Sequence, residues 1–188
     1  MKKIFNIQYS LFILVTLCVT SCRPSTPSSY RGLPKEYTTA YEEIYGHCYD
    51  SVPYAVVALD LYSDGLSLNA QRKIQGTGYN LYISDIFVPD SLLAEGDYKS
   101  LISNSLNSNS FIPQPYTFLP GRDFEGQPHG MYLLNIEDDK IIQIQRLDSG
   151  RFSYRNDSLA FTLYYRNAYG ERATYKPIFC GPLIPVKK

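Results

Sequence analysis

The side chains able to do chemistry are few in this chain, and their spacing limits what they can do. Only two histidines occur, His47 and His129. No H-E-x-x-H, no paired C-x-x-C and no EF-hand spacing is present, so neither a metal site nor a cofactor is expected. His47 precedes Cys48, the residue types of a nucleophilic dyad, but neighbours in a strand point to opposite faces. Asp60 and Asp85 are acids on strand-like segments, while Asp123 and Glu125 lie in a loop. Nothing in their spacing brings two to the separation a glycosidase needs. Gly65-Leu66-Ser67-Leu68-Asn69 misses the G-x-S-x-G elbow at its last position. Gly76-Thr77-Gly78 enters a strand and not a helix, so it forms no phosphate cradle. The expectation is a non-enzyme with no catalytic residues.

Tyrosine is the residue type that stands out, with 18 copies and no tryptophan. Tyrosines at strand positions with a wet edge can line a ligand cleft or a protein interface, and Tyr62, Tyr79, Tyr82, Tyr132, Tyr154 and Tyr164 are candidates. β-propensity alone accounts for most of them. Absence of tryptophan weighs against a sugar-stacking module.

The elements that must position these residues begin after a leader. Lys2 and Lys3 form a basic front, and residues 11–19 are an apolar run too short to span a bilayer comfortably. Val19-Thr20-Ser21-Cys22 follows. This tetrapeptide resembles the lipobox of bacterial lipoproteins, in which the cysteine is lipidated and becomes the new first residue. The resemblance implies residues 1–21 as signal peptide, Cys22 as the lipidation site and residues 22–34 as a Pro/Ser-rich tether. Each buried acyl methylene adds about 0.8 kcal/mol to anchoring. Removing residues 1–21 takes two of the 18 basic residues and none of the 18 acidic ones, leaving a net charge of −2. That is no field for nucleic acid. Cys48 and Cys180 then remain in an oxidising compartment. A disulfide between them is expected, closing a loop of about 130 residues and worth about 4–5 kcal/mol in the chain-entropy model. The alternative is two buried, reduced cysteines that never meet.

Residues 35–188 read as one all-β domain. Residues 76–88 alternate apolar and polar, slip phase at Ser84-Asp85 as at a bulge, and stop at Pro89. This is the expected central strand. Ser63-Asp64-Gly65, residues 137–140, Asp148-Ser149-Gly150 and Asn156-Asp157 are turns between strands, with Ile142 and Ile144 returning on one face. Residues 103–115 are a polar loop. Tyr37, Tyr41, Ile44, Tyr45 and Cys48 fall at helical spacing, so a short helix is placed over 35–43. About nine short strands with tight turns predict an antiparallel β-sandwich or up-and-down barrel, with no room for parallel crossovers.

Tyr45-Gly46, Leu59-Asp60-Leu61-Tyr62, residues 76–81, Gly96-Asp97-Tyr98 and Ile178-Phe179-Cys180-Gly181 together resemble the small all-β lipoproteins of Bacteroidales. That resemblance implies O-glycans at Asp-Ser followed by an apolar residue, hence at Ser51, Ser91 or Ser158, although turn serines account for the same triplets. It also implies an outer-membrane lipoprotein. Arg23-Pro24-Ser25 lacks the acids of surface export, which favours the periplasmic side. A binding or structural module follows, with a small ligand or an envelope protein as partner. The alternatives are a calycin-like small-ligand carrier and a subunit of a fimbria-like assembly.

Overall fold

Alternation of side chains is the local instruction most of this chain obeys. The computed structural model describes residues 32–49, 52–101, 113–124 and 127–188, and among them it holds strands and turns and no helix. In chain order the strands are β1 (Glu36–Tyr37), β2 (Thr39–Gly46), β3 (Ala55–Tyr62), β4 (Leu66–Leu68), β5 (Ile74–Gly76) and β6 (Gly78–Val88). Next come β7 (Gly96–Ser100), β8 (Thr117–Phe118), β9 (Arg122–Phe124), β10 (Gln127–His129) and β11 (Met131–Glu137). Last are β12 (Lys140–Arg155), β13 (Ser158–Arg166), β14 (Arg172–Tyr175), β15 (Ile178–Cys180) and β16 (Ile184–Lys187).

β6 is the hub. It pairs with β3 along one edge and with β11 and then β8 along the other. Leu81 and Ile83 enter the core, and Asp85 then takes φ +53 where the register with β3 shifts. The slip returns Ile86 and Val88 to the core and turns Phe87 outward onto Val56 and Leu119. A bulge at Ser84-Asp85 thus lets one strand serve two packing clusters.

β6, β11, β12, β7 and β8 close a five-strand barrel core. β3, β2 and β16 extend from β6, and β13, β14, β15 and β1 extend from β12. The interior is packed with rings. Tyr98 stacks on Phe152 at 4.5 Å, and Phe118 and Phe161 lie 5.3 and 5.4 Å from the same Phe152 ring. Such pairs add about 0.5–1.5 kcal/mol each beyond the area they bury.

Two hairpins close as their turn residues demand. Asp138 and Asp139 have φ of +48 and +66, and Asn156 and Asp157 +48 and +54. Positive φ at both central residues matches the strand twist, and Asn and Asp tolerate it best after glycine.

Four expectations need correction. The helix over 35–43 is absent: β1 and β2 occupy that stretch, with Tyr37 and Ala40 in the core. Pairing with β3, together with the β-propensity of Tyr and Thr, outweighs a helical spacing that here is coincidental. The sheet is mixed, since β1–β15, β7–β8 and β16–β2 are parallel. Each of these pairs joins segments separated by a long stretch of chain, so short connections do not forbid them. The strand division also differs: bulges and prolines cut the described residues into sixteen strand segments, finer than the nine expected, whereas Asp148-Ser149-Gly150, expected as a turn, lies inside β12 at a register shift against β13.

The fourth correction concerns the disulfide. Cys48 and Cys180 are both free and exposed. Cys180 follows Phe179, which pairs with Tyr37, whereas Cys48 lies beyond the far end of β2. An eight-residue strand spans about 26 Å at 3.3 Å per residue, and a disulfide needs Cα atoms within about 7 Å.

Candidate functional site

An exposed apolar ribbon grows from one mismatch of strand lengths. β12 has 16 residues, whereas its hairpin partners β11 and β13 have 7 and 9. β13 pairs only from Leu147 onward, so the stretch Lys140–Arg146 has β11 alone as neighbour among the described residues. Its tip is pinned: Asp139 Oδ1 accepts the Gly76 N–H at 2.5 Å, and the Asp138 N–H donates to Thr77 Oγ1 at 3.1 Å. The ribbon is therefore held out as a fixed edge. Ile141, Ile142 and Ile144 are 52, 49 and 52% exposed.

A groove of about 480 Å³ runs over this ribbon, between the β9–β10 hairpin and the end of β13. Arg146 Nε lies 3.4 Å from Asp148 Oδ1, and Arg166 Nε lies 3.8 Å from Asp148 Oδ2. One carboxylate thus orients two guanidinium groups, although pairs this exposed contribute only about 0–1 kcal/mol each to stability. Tyr132 donates to Asp123 Oδ1 at 2.9 Å. Burial, reinforced by that carboxylate, pushes the Tyr132 hydroxyl up to about 12. Arg166 Nη1 reaches Gly170 O at 3.0 Å, which ties the groove to the β13–β14 tip. Tyr169 on that tip is 88% exposed. Arg172 lies over the Tyr164 ring at 4.3 Å, a cation–π contact. The groove thus sets half-exposed Ile144 and two exposed arginines beside the buried Tyr132, a mix of apolar and arginine contacts suited to a protein-binding surface.

The residues singled out from the sequence lie elsewhere. Cys22, Ser51 and Glu125 are outside the described residues. Ser91 is exposed in the turn after β6. Ser158 is half-buried in the β12–β13 hairpin, its hydroxyl 3.4 Å from Asn156 O. Partial desolvation, with Asp85 nearby, raises the Cys48 thiol above its usual range, the opposite of an activated nucleophile. The carboxylates are dispersed. Asp60 accepts from the Tyr62 hydroxyl at 2.5 Å and the Asn80 amide at 2.6 Å. Asp85 accepts from Tyr49 and Ser84, and Asp123 from Tyr132. Among the described residues no group of three His, Cys, Asp or Glu is arranged to hold a metal ion.

Of the six candidate tyrosines, Tyr62 and Tyr132 are buried and the other four half-buried. Among the described residues the exposed tyrosines are Tyr45, Tyr49 and Tyr169. Ile142 and Ile144, expected to return together on one strand face, are both half exposed. The signal available in the sequence was Ile141-Ile142, two adjacent isoleucines that strict alternation cannot bury together. Comparison with protein-family models, with curated proteins and with solved structures finds no match for this chain.

Proposed function

We propose that this chain is a lipid-anchored lipoprotein of the bacterial outer membrane, whose β domain is a non-catalytic binding module for an envelope protein. Cys22 carries the lipid, residues 22–34 form the tether, and the periplasmic leaflet is the favoured side. Of the two described serines, Ser91 is more accessible than Ser158 for an O-glycan. One observation carries the binding role: Ile141, Ile142 and Ile144 stand half exposed on a strand whose outer edge has no neighbour among the described residues. Natural sheets cover, shorten or charge such edges because bare ones pair indiscriminately. A cognate strand laid along it satisfies backbone groups and covers the isoleucines together. The same edge favours the second reading, a subunit of a surface assembly. A small-ligand carrier has less support, because the stacked rings of Tyr98, Phe118, Phe152 and Phe161 fill the barrel.

Two measurements on the full chain in a Gram-negative host test this. The native chain is expected in the membrane fraction and Cys22→Ser in the soluble fraction; retention of the variant in the membrane overturns the anchor. A photo-crosslinker at Gln143 is expected to give a discrete adduct that is lost in Ile142→Lys/Ile144→Lys. An adduct pattern unchanged by that pair overturns the edge as the binding surface.

A further inference from the structure

We propose that the occupant of the β12 edge is an extended segment of another protein that carries a carboxylate side chain seated between Arg146 and Arg166. This rests on the edge being the binding surface, and it adds the chemistry of what binds.

The stretch Lys140–Arg146 contains two positive charges and no acid. A second copy laid antiparallel in the register centred on Gln143, the one that pairs the whole stretch, would place Lys140 against Arg146, and one laid parallel in register would set like on like. Like charges directly opposite across strands are destabilising, so the strand discriminates against itself. The ribbon's complement is acidic, and because the groove beside it holds Asp123 and Asp148 as well as the two arginines, that preference is confined to the arginine donors left open.

The position of that acid follows from the arginines. Each meets Asp148 through Nε, and Arg166 spends Nη1 on Gly170 O. No described acceptor engages the Nη groups of Arg146 or Nη2 of Arg166. Asp148 therefore fixes the two guanidiniums while leaving donors for an incoming carboxylate, and such charge-assisted pairs are short and directional. The strand β13 ends at Arg166, where Gln145 Nε2 donates to Arg166 O at 3.2 Å. A segment continuing the sheet from there passes the arginine pair first and Ile144 and Ile142 next. Apolar or β-branched residues two apart in that segment would pack on the isoleucines. The 480 Å³ groove has room for the acidic side chain.

The test uses the full lipidated chain in detergent micelles to select from a phage-displayed library of random peptides about nine residues long. Selected sequences are expected to carry an Asp or Glu beside alternating apolar residues. Arg146→Glu/Arg166→Glu is expected to weaken their binding about 10- to 100-fold, and a peptide with Lys in place of its acid to regain binding to that variant. Unchanged thermal melts of the variants show that the fold is kept. Peptides without an acid that ignore Arg146→Glu/Arg166→Glu but are lost in Ile144→Lys overturn the acidic occupant and leave the edge reading intact. Peptides indifferent to both variants, or no selection at all, overturn the proposal together with the edge. A dimer in sedimentation that Ile142→Lys dissolves overturns it in favour of a second copy.

Discussion

Asp60 and Glu42 hold carboxyl groups that burial drives above their ordinary values near 3.8 and 4.5. Hydrogen bonds from Tyr62 and Asn80 oppose the shift at Asp60, and the Leu93 N–H opposes it at Glu42, but desolvation is the larger cause at both. An acid with a raised folded pKa binds more protons folded than unfolded. Its contribution to stability is fully present below the ordinary pKa and is lost as pH rises through the raised one. The pair Asp60→Asn/Glu42→Gln is therefore expected to gain stability relative to the native chain as pH is raised over a range that starts at about pH 4.5. Urea melts across that range check it; a stability difference that does not change with pH would refute the sign.

At the scale of elements, β12 does two jobs with its two halves. Its second half carries Phe152, the ring against which Tyr98, Phe118 and Phe161 lie, while its first half runs beyond β13 into solvent. Phe152→Ala removes the centre of that packing and should cost about 3–5 kcal/mol, as large-to-small changes in close-packed cores do. Chemical denaturation is the measurement, and a loss below about 1 kcal/mol would mean the rings are not packed as described. The first half is the opposite case. Ile141, Ile142 and Ile144 bury little, so substituting them should scarcely move the melt while changing what binds.

Across the whole molecule, the two ends of the described chain run side by side. β1 and β2, interrupted only at Thr38, pair in parallel with β15 and β16. Tyr37 and Tyr175 share a hydroxyl contact of 2.9 Å, and Tyr175 donates to Pro34 O at 2.7 Å, so β1 and β14 are latched together beside Pro34. Lys188 Nζ adds a 2.6 Å ion pair with Glu43. Deleting residues 182–188 should cost about 2–3 kcal/mol, chiefly the burial of Val186, and should bare the outer edge of β2. A lower denaturation midpoint with new self-association is the expected result. An unchanged midpoint would show that β16 does not hold that edge.

By itself the sequence determined the all-β class and several of the turns, though not the run of β12 through Asp148-Ser149-Gly150. Alternation through Leu81 and Ile83, the slip at Ser84-Asp85, and the pairs Asp138-Asp139 and Asn156-Asp157 are local preferences, and the fold keeps each where side-chain period and positive-φ tolerance placed it. The tertiary structure alone decided that Tyr37–Tyr45 is extended, that the chain ends pair in parallel, and that Cys48 and Cys180 stand a strand's length apart. It alone placed Arg146, Asp148 and Arg166 around one groove. Those outcomes depend on which strand lies beside which and how far each outruns its neighbour, and period-two patterning carries no record of partner or length.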